Sequence, residues 1–349
     1  MDKVSSAGTG MNRPIRHSFP PPPFGHTAAM PMSPTSKAFL QIHFCVVLWG
    51  FTAILGKLIT LPALPLVWAR MLLVVVALAL LPKVWRGLRA MPPRLFWAYA
   101  GVGVLVALHW LTFYGAIKLA NASVAATCIA LATAFTAIVE PWLARTRFSK
   151  RDLALGIAVL PGVALVVGGV PDEMRIGIAV GALSALLVAL FGSLNKRLVD
   201  HGEPLTVTAI ELGAGTVALT LLAPLMPFFP VDAIAEAFAG DLLVMPGGRD
   251  IALLLVLSLA CTLLPFALSL MALRHMSAFA AQLAVNLEPV YAIILAILLL
   301  GEQHELEPPF YLGVVVILAA VLVHPLLARP RRMDHAEVLA TAESKQLGD

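Results

Sequence analysis

An amide, a carboxylate and a proline interrupt one of the most apolar segments of the sequence, "AVNLEPVYAIILAILLLGE", which runs from Ala284 to Glu302. Asn286, Glu288 and Pro289 come just before a run of almost pure hydrocarbon that carries one tyrosine, Tyr291. Because proline has no amide hydrogen, the carbonyl four residues earlier loses its helical partner. That loss is costly in lipid unless another group satisfies the carbonyl. The segment therefore predicts a helix break at Pro289 that faces the protein interior.

Glu288 is the residue in this segment best suited to chemistry. A charged carboxylate deep in a bilayer costs about 2.5–3.5 kcal/mol, so its neutral form becomes competitive. A carboxyl group that holds and releases a proton inside a membrane can couple transport to protons. The alternative is structural: a neutral Glu288 donates a hydrogen bond to the carbonyl that Pro289 leaves free.

A second polar face is predicted in the fourth apolar block. Thr133, Thr136 and Glu140 are three and four residues apart, which places them on one face of a helix. Pro141 follows directly and predicts a second helix break. In the alternative interpretation the threonines bond to their own helix and Glu140 lies near a solvated helix end.

Other polar and aromatic residues are further candidates for a substrate or proton pathway. His109 either packs through a hydrogen bond or contacts substrate. Arg70 lies near the outer end of its helix, where it either snorkels or pairs with a carboxylate or an anionic substrate. Trp110 and Tyr291 can stack on a flat or cationic substrate, with core or interface packing as the alternative. Glu211 is expected at a solvated helix end.

The elements that carry these residues are predicted membrane helices. Hydrophobic residues make up 60% of the 349 residues and charged residues 13%, and the mean hydropathy is +0.90. Soluble domains have roughly 45–50% apolar and about 25% charged residues, so a large soluble enzyme is excluded. Apolar blocks about twenty residues long match the thickness of a bilayer. We predict an all-α integral membrane protein with ten transmembrane helices at roughly 39–59, 64–82, 96–117, 122–144, 152–170, 176–195, 204–226, 251–273, 277–300 and 308–328.

The ends of the chain and its basic residues predict an orientation. Residues 1–37 are rich in Pro, Ser, Gly and Met and predict a disordered cytoplasmic tail, and residues 329–349 predict a second polar tail. If the N-terminus is cytoplasmic, the inner segments hold nineteen of the 24 lysines and arginines and the outer segments hold four. This bias predicts that both termini are cytoplasmic. The positive charge is thus an orientation signal, and no nucleic-acid partner is predicted.

The two halves of the chain have the same order of features. Aligning Thr133 with Pro289 also matches neighbouring residues of the fourth and ninth blocks, although the identity is weak. We therefore predict two five-helix repeats, at 38–171 and 175–328. Because five is odd, the second repeat enters the membrane from the opposite side, which makes the repeats inverted.

The sequence resembles the EamA family of the drug/metabolite transporter superfamily from Phe39 to Leu327. The segments that carry the resemblance are "NLEPVYAIILAILLLGE", "LWGFTAILGKLI", "ARMLL", "HWLTFYGAIKLANASVAAT", "FGSLNKRLVD" and "ACTLLPFALSLMAL". The first half departs from the pattern, since Thr133 stands where a proline is usual and Thr146 where a glutamate is usual. The resemblance implies an exporter of metabolites in the bacterial inner membrane.

Together these observations predict a secondary transporter that exports a small polar or amphipathic metabolite by alternating access with proton coupling. An uncoupled facilitative carrier is the alternative, and an intramembrane enzyme or a scaffold is a more distant one. No H-E-x-x-H motif and no convincing nucleophile–base pair occur in the sequence. The three cysteines lack metal-ligand spacing, so neither a metal nor another cofactor is predicted. The expected partners are a small-molecule substrate and the lipid bilayer, with a homodimer as an open alternative.

Overall fold

The computed structural model describes residues 33–228 and 236–327, except the side chains of residues 227 and 321–327. Within these ranges the regular elements are helices and no strand occurs, so the predicted helical class is confirmed there. Nearly all of the two predicted tails lies outside the described residues. The α-helices are α1 (Pro34–Leu58), α2 (Ala63–Ala79), α3 (Pro82–Ala90), α4 (Pro93–Leu119), α5 (Ala122–Cys128), α6 (Leu131–Leu143), α7 (Lys150–Ala158), α8 (Leu160–Gly168), α9 (Arg175–Leu198), α10 (Pro204–Leu222), α11 (Gly248–Ser258), α12 (Leu264–Leu273), α13 (Ala278–Val285), α14 (Glu288–Leu300) and α15 (Pro308–Leu327).

Helical segments of membrane-spanning length dominate the described chain. Eight segments in it are long and apolar enough to cross a bilayer. Helices α2 and α3, bent by 93°, would form a ninth span if taken together. The part of α15 whose side chains are described, Pro308–Ala320, is shorter than a full span. The protein is thus a multi-pass membrane protein, with eight or nine spans by this criterion where the sequence predicts ten.

The second predicted span, 64–82, corresponds to α2, and a separate short helix, α3, follows it. Helix α2 ends at Ala79, and Pro82 begins α3, where its missing amide hydrogen costs nothing. The Nε1 atom of Trp85 donates a hydrogen bond to the Ala79 carbonyl at 2.7 Å, which closes the bend. Val84 is buried and Arg86 is exposed, so α3 has the amphipathic character of a helix that lies along a membrane surface.

The first helix begins earlier than its apolar block. Helix α1 starts at Pro34, within the predicted tail and five residues before Phe39. Proline is well tolerated in a first helical turn, and the polar residues after it add a turn outside the apolar run. The apolar block therefore indicates the part of the helix suited to lipid and not its N-terminus.

Two spans are interrupted in their first half, and these interruptions organise the interior. Residues 286–287 separate α13 from α14, and Pro289 lies in the first turn of α14. In the other repeat, residues 129–130 separate α5 from α6. There the amide of Ile129 bonds the Ala126 carbonyl three residues earlier, at 3.2 Å, in place of the α-helical partner. Both spans thus consist of a short helix, a two-residue break and a longer helix.

The predicted helix break at Pro141 is wrong. Pro141 lies inside α6, and the helix continues to Leu143. A proline in the last turn deprives only one carbonyl of its partner, and the amide of Ala144 still bonds the Glu140 carbonyl at 2.8 Å. The break of this span falls instead at residues 129–130, where no proline marks it.

Glycines set the closest approaches between spans. A Cβ atom on Gly162 in α8 would lie 2.7 Å from the carbonyl oxygen of Gly313 in α15, so these two helices pack with their backbones in contact. A Cβ atom on Gly103 in α4 would overlap the carbonyl oxygen of Glu211 in α10. Small residues at such crossings are typical of membrane helix packing. A large apolar cluster joins spans of both repeats, and a second, smaller one surrounds the contact of α8 with α15.

Candidate functional site

A cavity of about 120 Å³ lies among helices of both repeats, bounded by α1, α2, α4, α9, α12, α13 and α14. This volume accommodates several water molecules or a small organic molecule. Five aromatic side chains line it: Trp49, Trp110, Phe113, Phe191 and Phe266. The polar and charged lining includes Arg70, His109, Asn195, Ser269, Gln282 and Glu288. The cavity thus combines an aromatic surface with one basic and one acidic side chain.

Arg70 lies inside the protein and does not snorkel. Its side chain is 1% exposed, and its guanidinium carbon lies 3.9 Å from the centre of the Trp110 ring. The Nε atom donates to Thr262 at 2.6 Å and the Nη1 atom donates to the Tyr114 hydroxyl at 2.8 Å. Among the described residues no carboxylate oxygen lies within 4.0 Å of this guanidinium. Arg70 is a buried cation held by neutral groups.

The two hydroxyl groups that hold Arg70 are oriented by backbone carbonyls. Thr262 donates to the carbonyl of Leu257 at 2.6 Å, and Tyr114 donates to that of Thr52 at 3.4 Å. Each hydroxyl therefore presents a lone pair to the guanidinium. Thr262 belongs to a π-helical segment, Leu259–Leu263, inserted between α11 and α12. Such insertions often occur at functional sites, and this one fixes an acceptor for Arg70.

Glu288 enters the same cavity from the second repeat. It is the first residue of α14 and is 6% exposed. Within the described ranges its carboxyl group makes no hydrogen bond, including the bond to a freed carbonyl that the structural alternative requires. The break next to Pro289 therefore turns a carboxyl group towards the cavity without a protein partner.

His109 lines the cavity and is fixed on its other side by α9. Its Nδ1 atom lies 3.0 Å from the Ser184 carbonyl oxygen and 2.9 Å from the Ser184 hydroxyl. The ring also packs against Phe191, with ring centres 5.4 Å apart. The structure is compatible with both predicted roles, a packing residue and a contact for substrate.

The remaining predicted site residues lie outside the cavity lining. Asn286 donates to the Thr133 hydroxyl at 2.5 Å, a bond that ties the two interrupted spans together close to their breaks. Thr136 is 2% exposed, within the protein. Tyr291 is 38% exposed, on the outside of the bundle. The structure thus brings Arg70, His109, Trp110 and Glu288 together and separates the others from them.

Glu140 caps a helix of the other repeat. Its carboxylate accepts hydrogen bonds from the first two amides of α13, those of Ala278 at 2.9 Å and Phe279 at 2.7 Å. It is 4% exposed, so the solvated helix end of the alternative interpretation is wrong. A carboxylate at a helix N-terminus satisfies amides that have no partner within the helix and interacts favourably with the helix dipole.

Glu302, in the second repeat, caps the start of α5 in the first repeat. Its carboxylate accepts from the amides of Ala122 at 3.1 Å and Ser123 at 3.0 Å, at the start of α5, and from the Ser123 hydroxyl at 2.6 Å. The end of each interrupted span therefore contacts the start of the other. The two interrupted spans run antiparallel and exchange their caps.

Sequence reasoning missed two of these buried acids. Glu302 follows Gly301, whose φ of 73° ends α14 in the left-handed conformation; a glycine after a long apolar run is a helix-end signal that could have located it. Glu211 is 0% exposed and not solvated as expected. It accepts a hydrogen bond from Asn195, a cavity residue, at 3.3 Å. Glu211 lies seven residues inside the predicted span 204–226, and this position within an apolar block is the signal that could have located it.

Comparisons with known proteins give a family for this architecture. A sequence profile described as "EamA-like transporter family" matches residues 36–168 and again residues 175–324. No curated protein matches the chain. Twenty-one solved chains do; one, described only as "Crystal structure of protein", is 17% identical, with a TM-score of 0.60 over 84% of this chain and 99% of the other. This likeness concerns the fold. The profile matches most of the chain as two repeats, and the protein belongs to the EamA-like transporter family of membrane transporters.

Proposed function

We propose that the protein is a secondary transporter of the bacterial inner membrane that exports a small polar or amphipathic metabolite by alternating access, coupled to protons through Glu288. The observation that carries this proposal is the Glu288 carboxyl group, which lines the cavity without a hydrogen-bond partner in the described structure. Acids inside membrane helices typically mark ion or proton pathways. The role is movement of the substrate without chemical conversion.

The shape of the cavity supports an inward-open state. Its lining runs from Arg70 and Glu288 to Leu273 and Ala278, which flank the short connection 274–277. Under the orientation predicted from the basic residues this connection is cytoplasmic. A substrate would then enter from the cytoplasm and meet both charged residues at the deep end.

Contacts at the opposite ends of the helices support a closed outer side. The Nζ atom of Lys118 donates to the carbonyl of Ile59 at 2.6 Å. Asp250 accepts hydrogen bonds from the amide and the hydroxyl of Thr60, at 3.1 Å and 2.6 Å. These bonds join the residues that follow α1 to α4 and α11 on the side that we propose to be periplasmic. Outward opening would have to break them.

The exchange of caps supports an inverted repeat, and we propose ten spans with both termini in the cytoplasm. Antiparallel interrupted spans at equivalent places of the two repeats are expected when the repeats have opposite orientations. Two of the ten proposed spans are not among the eight that meet the length criterion: α2, of 17 residues, and α15, of 20 residues. At 1.5 Å per residue these reach about 26 Å and about 30 Å, close to the thickness of the hydrocarbon core.

Proton coupling is tested by substrate flux in liposomes with Glu288→Gln. Glutamine keeps the shape of the side chain but cannot titrate. We expect the variant to fold and to exchange substrate across the membrane, but to lose the acceleration that an imposed pH gradient gives the wild type. The substrate for this assay is the metabolite that most raises the melting temperature of the purified protein.

Glu211→Gln is the matched control, because Glu211 is also a buried acid but does not itself line the cavity. Its flux should respond to the pH gradient as the wild type does. Gradient-dependent flux in Glu288→Gln would end the coupling proposal. Flux in the wild type that ignores the gradient would favour the uncoupled carrier instead.

A further inference from the structure

We infer that the ligand of this cavity is a small organic monocarboxylate with a flat apolar body, whose carboxylate pairs with Arg70. The inference rests on the proposed function in one respect, namely that the cavity is the transport site. Nothing in the sequence pattern alone selects this class of substrate. The surroundings of Arg70 do.

The guanidinium of Arg70 makes no ion pair within 4.0 Å with a carboxylate of the described residues. A guanidinium has five N–H donors, and the described residues accept hydrogen bonds from two of them, through Thr262 and Tyr114. The side chain is 1% exposed and the closest described carboxylate oxygens lie beyond 4.0 Å. A buried cation is unfavourable unless it is paired and hydrogen bonded. The donors that remain fit the two oxygens of a carboxylate.

The charges in the cavity favour a monoanion. Arg70 is the one lysine or arginine among its lining residues, all of which are described, and Glu288 lines the same space. One guanidinium neutralises one negative charge, so a phosphate dianion or a dicarboxylate would keep a charge that faces Glu288. Desolvation of this extra charge would not be offset. The cavity should therefore discriminate against dianions.

The rest of the lining is suited to a flat apolar group. Trp110 already covers one face of the guanidinium. Its ring meets Phe266 edge to face, with centres 5.9 Å apart, and Trp49 lines the same space. Aromatic side chains favour such edge and stacked contacts with another ring. A ligand whose carboxylate meets Arg70 would place its body against these rings.

The inference also predicts how replacement of Glu288 changes the affinity for carboxylates. When ionised, it is the alternative negative charge in the cavity and competes with the ligand for the field of Arg70. Replacement by glutamine removes this competition and keeps a hydrogen-bonding side chain. Glu288→Gln should therefore bind carboxylates more tightly, although the same variant should lose gradient-driven flux.

The first test needs no variant. The dissociation constants of 3-phenylpropionate, 3-phenylpropionamide and phenyl phosphate are measured on the purified full-length protein by thermal shift and calorimetry. We expect the carboxylate to bind at least tenfold more tightly than its amide, and the phosphate dianion no better than the amide. The amide also corrects for partition into detergent. Equal binding of carboxylate and amide, or preferred binding of the phosphate, would overturn the inference.

Variants locate the contact. Arg70→Gln should reduce the preference for carboxylate over amide to less than twofold, and Arg70→Lys should keep part of it. Arg86→Gln, on the exposed face of α3, is the control for lost positive charge and should behave as wild type. Glu288→Gln should lower the dissociation constant of 3-phenylpropionate at least threefold. A preserved preference in folded Arg70→Gln, or weaker binding in Glu288→Gln, would contradict the assignment.

Failure of this inference and failure of the proposed function are distinguishable. Gradient-driven flux of another metabolite without a preference for carboxylates would reject the ligand class and leave the transporter intact. Carboxylate binding at Arg70 without flux in liposomes would support the site and reject transport.

Discussion

Removal of the Glu302 carboxylate should destabilise the protein although the residue lies outside the cavity. Glu302 is 1% exposed and accepts three hydrogen bonds, from two amides and one hydroxyl at the start of α5. In Glu302→Ala these donors lose their acceptor at a buried helix N-terminus. The perturbation is local, because in the described structure the hydrogen bonds of this carboxylate go only to Ala122 and Ser123.

The expected magnitude follows from these contacts. Hydrogen bonds to a charged group contribute about 1.5–3 kcal/mol each, whereas loss of a helix cap costs about 0.5–2 kcal/mol because the helix end relaxes. The Ser123 hydroxyl can rotate to another acceptor, and the two amides cannot. We therefore expect Glu302→Ala to lower the free energy of unfolding by about 2–4 kcal/mol, and the melting temperature by about 5–10 °C.

The assay is the melting temperature of the purified protein in detergent, followed by tryptophan fluorescence. Glu302→Gln retains one oxygen acceptor and should lose about half as much. Glu307→Ala removes an exposed acid nearby in the chain and should stay within about 1 °C of wild type, a typical surface effect. A melting temperature of Glu302→Ala equal to that of Glu307→Ala would refute the view that this cap stabilises the interrupted span.

Three further predictions concern packing, access and topology. Gly103→Ala should lower the melting temperature, because its Cβ would overlap the Glu211 backbone, whereas Gly101→Ala has open space around its Cβ and should raise it slightly; equal shifts would contradict the packing. Gln282→Cys should react with a water-soluble thiol reagent more slowly when ligand is bound, whereas Leu298→Cys, 73% exposed on the outside of the bundle, should show no such protection; protection of both or neither would argue against the cavity. A fluorescent protein fused to either terminus should be active and a periplasmic phosphatase silent, and opposite readouts at the two ends would refute an even number of spans.

The helical membrane class could be predicted from the sequence because it depends on composition and on the length of apolar blocks. Arg70 and Glu288, which both line the cavity, could be identified as candidates from the sequence, since a charge inside an apolar block is visible in the chain itself. The partners of these residues could not. Thr262 and Tyr114 reach Arg70 across 192 and 44 residues of sequence, and only the packing of three spans brings them together.

The breaks of the two interrupted spans illustrate the same limit. Pro289 identifies one break, because a proline has no amide hydrogen and cannot continue the hydrogen bonds of a helix. The break at residues 129–130 contains no proline or glycine and arises from three-residue hydrogen bonds between ordinary residues. The sequence predicts the break at Pro141, but this proline does not interrupt the helix, because it lies in the last turn of α6. Residue type locates a break only where that type makes the helix impossible.

The exchanged caps also impose an order on biogenesis. Glu140 leaves the ribosome 138 residues before Ala278, so its carboxylate is already present when the second interrupted span inserts. Ala122 precedes Glu302 by 180 residues, so the first interrupted span must insert before the acceptor of its Ala122 and Ser123 amides has been made. Until synthesis is almost complete, water or lipid headgroups at the membrane surface have to accept the hydrogen bonds of those two amides. The nascent first repeat is therefore an unfinished structure, and its last hydrogen bonds form only when the second interrupted span and Glu302 have been made.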